Sequence, residues 1–152
     1  LTTALSNEKI NYVNATFIAD EKNIKLDASK EANNSGYKNK VTVKITATNG
    51  VNSVSGTIFN EDVQRIIAIN NFIMDIEPSG KMILVTNSDI PGVIGEVGKT
   101  LGDSSINISD FRLGRNDAGA LAVILVDNEV TKETLTKLEN LEAATSVCFV
   151  KI

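Results

Sequence analysis

Apolar residues recur along this chain in two rhythms, and the switch between them marks out its elements. Residues 11–19 read as a short helix and residues 24–26 as a strand. Val41, Val43, Ile45 and Ala47 then alternate with polar residues, as in a half-buried strand. Asn49-Gly50 follows at once, the dipeptide best suited to the positive φ angles of a tight hairpin turn, so a return strand over 51–59 is predicted. Residues 63–69 and 72–76, separated by Asn70-Asn71, predict a second hairpin. The first half thus reads as antiparallel sheet with a helix packed on one face.

The cluster Glu77-Pro78-Ser79-Gly80 interrupts the pattern and divides the chain into residues 1–77 and 81–152, with 77–80 as linker. Beyond it the pattern predicts a strand at 81–86 and a helix at 91–101. Pro91 fits the first helical turn, Asp89 caps its free N–H groups, and Val93, Ile94, Val97 and Leu101 share a face. Gly95 and Gly98 each cost ~1 kcal/mol against alanine, which implies close packing of that helix. A strand at 106–114, a turn at Asn116-Asp117-Ala118-Gly119 and a strand at 121–126 come next. Thr131 then caps a helix in which Leu135, Leu138 and Leu141 share a face, with Val130 and Leu135 as a hydrophobic staple, and 145–152 supplies the last strand. The order βαββαβ is the ferredoxin-like arrangement, an antiparallel four-stranded sheet with both helices on one face. The fold class is α+β, two small domains in series. Ile83, Leu84, Val85, Leu113, Val123 and Leu125 are the expected core.

Composition narrows the chemistry. The 152 residues are 42% hydrophobic and 22% charged, a globular composition, with no apolar run for a membrane span and no signal-peptide pattern, so a cytoplasmic location is the default expectation. Absence of histidine excludes a Ser-His-Asp triad, a histidine general base and histidine metal ligands. The single cysteine, Cys148, forms no intrachain disulfide and no thiolate zinc site, and the alternation around it marks it as a small core residue. The carboxylate neighbours Glu61-Asp62 and Asp20-Glu21 read as solvated turns. A net charge of −4 argues against nucleic acid, and no Gly-x-Gly-x-x-Gly fingerprint follows a strand.

Two stretches carry a resemblance. The run from Asn87-Ser88-Asp89-Ile90-Pro91-Gly92-Val93-Ile94-Gly95 through Ile106-Asn107-Ile108 to Gly114-Arg115 resembles the ACT domain that closes the long form of D-3-phosphoglycerate dehydrogenase. Upstream, Asn11-Tyr12-Val13-Asn14-Ala15, Val41-Thr42-Val43-Lys44-Ile45 and Gly56-Thr57-Ile58-Phe59 followed by Arg65-Ile66-Ile67 are similar to that enzyme's intervening, allosteric substrate-binding domain. The resemblance implies an NAD-dependent oxidoreductase of serine synthesis as the parent. Its cofactor and catalytic domains would lie outside these residues, leaving this part with neither active site nor cofactor. It also implies ACT domains paired side by side through edge strands, with L-serine or a related amino acid bound at the seam of the homodimer for feedback control.

The residues that the resemblance brings to that site are Asn87, Asp89 and Asn107, the last reaching from the neighbouring subunit. Free N–H groups around Gly92, Val93 and Ile94, at the positive end of a helix, suit a carboxylate. Asn87 stands where the family often has histidine, and an amide carries no imidazolium charge. The plainer reading makes Asp89 a helix cap, Asn107 a strand-entry residue, and Arg112 and Arg115 solvent-facing charges. In the first half, Lys30, Lys38, Lys44 and Arg65 are either an anion pocket for a phosphorylated effector or scattered surface cations. That half begins inside a predicted helix, so its first strand is expected to lie outside the chain. Two other readings keep the same domains: the regulatory region of an iron–sulfur L-serine dehydratase, or a free-standing amino-acid-binding module.

Overall fold

The structure is a computed structural model that describes residues 10–11, 13–30, 36–48, 50–60 and 62–152. Tyr12, Asn49 and Glu61, and the helix in which the chain is expected to begin, lie outside the described residues. The chain divides into two compact units, 1–35 and 36–152. In the first, helix α1 spans Ala15–Glu21, later than the pattern predicts. Asn11 and Asn14 exchange side-chain bonds with each other's backbone N–H groups at 3.1 and 2.7 Å, which holds the preceding residues in a turn. Asn23, at φ 54°, ends the helix, with Ile24 N–H donating to the Ala19 carbonyl at 2.8 Å. Residues 24–26 are not a strand: three residues make a strand only beside a pairing partner, and among the described residues none pairs with them.

The second unit holds two four-stranded antiparallel sheets. The first runs β1 (Val41–Ala47), β2 (Gly50–Phe59), β3 (Val63–Ile69) and β4 (Phe72–Ile76) in chain order. Its β3–β4 hairpin turns on Asn70 and Asn71, at φ 48° and 68°, because asparagine tolerates the left-handed conformation that a two-residue turn demands. The second is built from β5 (Lys81–Asn87), helix α2 (Val93–Asp103), β6 (Ile108–Asn116), β7 (Gly119–Val126), helix α3 (Lys132–Glu139) and β8 (Ala144–Lys151). Its strand order β6-β7-β5-β8 is that of the ferredoxin-like βαββαβ arrangement. Thr131 caps α3, its Oγ1 accepting from Thr134 N–H at 3.2 Å.

Two cores flank the second sheet. On the helix side Ile83, Val85, Ala122, Ile124 and Val126 pack with Val93, Val97, Leu101 and Leu138. On the other side Met82, Leu121 and Val123 share a core with Ile69, Phe72, Met74 and Ile76 of the first sheet. Burial on both faces explains why β5 and β7 read as nearly unbroken apolar runs instead of alternating. Strand β4 comes so close to β6 that a Cβ on Gly114 would lie 3.0 Å from both Phe72 Cβ and Met74 Cε.

Two expectations are corrected. Cys148 is exposed: it sits on edge strand β8 and so misses the core that its alternation suggests. Gly95 and Gly98 do not serve close packing among the described residues, where a Cβ at either would meet open space. Among the described residues no helix is long and apolar enough to cross a membrane.

Candidate functional site

Strand β5 carries the chain into a depression at its end. Asn87, its last residue, is 4% exposed, and its side chain shapes the loop that follows. Oδ1 accepts the Asp89 N–H at 3.0 Å while Nδ2 donates to the Val85 carbonyl at 3.4 Å. Asp89 then takes φ 53°, and Gly92, at φ 98°, is the N-cap of α2. The helix opens two residues after Pro91, and no side chain caps it. The expected cap from Asp89 is absent because this turn directs its carboxylate across the depression, where Oδ1 meets Arg115 Nε at 3.0 Å.

Asn87, Asp89, Gly92, Val93, Ile94 and Arg115 are among the residues lining a concavity of ≈ 250 Å³. The first N–H groups of α2 open into it without intrahelical partners, at the positive end of the helix dipole. A carboxylate, one side-chain amide, a guanidinium and backbone donors thus line a space sized for a small polar molecule.

Asn107 lies elsewhere in the chain. It precedes β6 and sits beside the start of β5, whereas the depression adjoins the end of β5, about 20 Å along the strand. Its amide Nδ2 donates to the Asp127 carboxylate, its N–H donates to Asn128 Oδ1 at 3.1 Å, and its carbonyl accepts from Asp127 N–H at 3.2 Å. The amide oxygen is thereby turned away from Asp127.

Of the cations of the first half, one lines a described depression. Arg65 lines a second concavity of ≈ 390 Å³ with Asp62 and Glu77, and its Nε lies 3.5 Å from Asp75. Lys38 and Lys44 are exposed and line neither concavity, and Lys30 belongs to the other compact unit.

Arg115, expected to be a solvent-facing charge, is exposed as expected, its side chain 65% accessible, and what sequence reasoning passed over is its place on the rim of the depression. The available signal is the short turn at 117–118, which places Arg115 opposite Ala120, itself the partner of Asn87.

Comparison with known proteins identifies relatives of both halves. Residues 1–70 match the family model of the D-3-phosphoglycerate dehydrogenase intervening domain, and residues 81–143 match that of the ACT domain. The D-3-phosphoglycerate dehydrogenase of Bacillus subtilis is 33% identical over 140 residues, covering 91% of this chain and 27% of that protein. The chain belongs with the C-terminal part of the D-3-phosphoglycerate dehydrogenases. The Archaeoglobus fulgidus protein of that name is 31% identical over 152 residues, with 97% and 28% covered. That of Synechocystis is 27% identical over 147 residues, with 95% and 26% covered. The chain therefore spans about a quarter of the length of these D-3-phosphoglycerate dehydrogenases. The ≈ 250 Å³ concavity lies in the part that matches the ACT domain.

Proposed function

We propose that this chain is the amino-acid-sensing part of an NAD-dependent D-3-phosphoglycerate dehydrogenase, binding L-serine at the seam of an ACT homodimer for feedback control. NAD binding and hydride transfer belong to the rest of that parent. The division at 77–80 is part of the reading, supported by the interval between the two family matches.

One observation carries it: the depression and Asn107 stand at opposite ends of β6, and β6 is an edge of its sheet. An unpaired edge invites a second strand, and two identical chains related by a two-fold axis pair their edges antiparallel. Such pairing carries the partner's Asn107 alongside the end of β6 that bears Arg115, with its amide oxygen available to accept. The open stripe of Gly95, Gly98 and Gly102 on α2 leaves room for a neighbouring copy. The N–H groups at the start of α2 receive the serine carboxylate, and Asp89 with the amide oxygen of Asn107 receives the ammonium or hydroxyl hydrogens. Because each site draws on two chains, ligand favours one arrangement of the subunits, and coupling of about 1–3 kcal/mol to a distant active site is typical of such devices.

Calorimetric titration with L-serine, with D-serine and glycine as comparisons, tests the reading. Saturable, L-selective binding near one ligand per chain supports it. Absence of heat at millimolar ligand, or sedimentation as a monomer at high concentration with and without ligand, overturns it.

A further inference from the structure

Sequence pattern marks Arg115 as one surface charge among many, but the register of the sheet gives it a specific place. Ala120 pairs with Asn87 on one side and Arg115 on the other, so the three residues form one row across β5, β7 and β6. Residues in such a row direct their side chains to the same face. Leu113, two residues earlier on β6 and hence on that face, lines the same concavity. The row therefore brings the guanidinium over the loop that follows Asn87.

Charge makes this placement informative. Among the residues lining the concavity, Arg115 is the sole cation and Asp89 the sole anion. Asn87 is neutral, and the chain contains no histidine to supply a positive charge in its place. Arg115 reaches Asp89 through Nε, and among the described residues no hydrogen bond engages its terminal amino groups. That leaves the forked edge of the guanidinium, the edge that matches a carboxylate in bidentate fashion, facing open space.

We infer that Arg115 is a ligand-binding residue of this site, joining the N–H groups at the start of α2 in receiving the α-carboxylate of a zwitterionic amino acid while Asp89 receives its ammonium. The inference rests on the amino-acid reading above and adds to it the source of selectivity. A zwitterion satisfies both members of the ion pair at once. A hydroxy acid brings a carboxylate next to Asp89 with no ammonium to answer it, and a simple amine brings a second cation next to Arg115. The opposed charges thus admit amino acids and reject their one-charge analogues. A bare structural brace between the 88–92 loop and β6 would show no such preference.

The test is calorimetric titration of the whole 152-residue chain, as wild type, R115Q and R115K, with L-serine, glycine, ethanolamine and lactate. R115Q is expected to weaken L-serine and glycine by roughly tenfold to a hundredfold, the range of a hydrogen-bonded charge contact, while leaving ethanolamine unchanged or tighter. R115K, which restores the charge without the fork, is expected to recover part of the loss. An equal loss for every ligand in R115Q assigns Arg115 to bracing, and unchanged affinities remove it from the site; either overturns this inference and leaves the amino-acid reading standing. A wild-type chain that binds none of the four overturns both.

Discussion

Gly119 opens β7 at φ 126°, and a Cβ there would lie 2.5 Å from the Asn87 carbonyl oxygen. Strand β7 and the residue that shapes the depression are thus in contact through backbone, and only glycine permits it. Gly119→Ala is expected to cost about 2–4 kcal/mol, combining a positive φ with an overpacked contact. A urea titration checks this, and a loss under 1 kcal/mol would mean that the backbone yields easily. Asp89 teaches the complementary lesson. Its place before Pro91-Gly92 suggests a cap, but the bond from its N–H to Asn87 Oδ1 settles a different turn. Sequence spacing predicted the loop and its polar residues, while the direction of the Asp89 carboxylate depended on a side-chain bond two residues back. Arg115 was illegible for a related reason: β-register is a property of paired strands, and no single strand reveals which residue faces which.

At the scale of elements the helix and hairpin signals were strong because their causes are local. Asn70-Asn71 forms its turn and Thr131 its cap with partners a few residues away. Thr131→Ala is expected to lower stability by about 1 kcal/mol, seen as a lower urea midpoint with unchanged slope. The short strand expected at 24–26 failed because a strand needs a distant partner that propensity cannot supply. Glu129, between β7 and α3, ties two strand ends together, lying 3.1 Å from Lys81 of β5 and 3.1 Å from Lys151 of β8. Hydrogen bonds from Lys81 first and Lys151 second hold its carboxyl below its ordinary 4.5. A depressed carboxylate contributes stability above its unfolded pKa and loses it as pH falls through the folded one. The difference in urea midpoint between wild type and Glu129→Gln is therefore expected to shrink as pH is taken below 4.5, and to shrink with added salt because the cluster is exposed. A difference constant across that window would remove the ionic explanation.

At the scale of the whole second unit, the decisive fact is the core on each side of β5 and β7. Phe72, Met74 and Ile76 alternate along β4 as one buried face requires, and β7 is the nearly unbroken apolar run of a strand buried on both. Neither told that the two would meet, since an apolar face names no partner. Ile76, fully buried in that shared core, is the most direct probe: Ile76→Ala is expected to cost about 2–5 kcal/mol, and both sheets are expected to lose protection from hydrogen exchange together. Separate loss in the first sheet alone would show that the two fold independently.

The shared core also bears on how freely the part that matches the ACT domain travels between proteins. Residues 81–152 expressed alone would turn Met82, Leu121 and Val123 out to water, a greasy panel on the side away from the helices. Grafting these residues onto another protein would then require bringing β3 and β4 along as their backing, or recolouring that panel with polar residues. The portable piece is residues 81–152 together with the neighbouring β3–β4 hairpin.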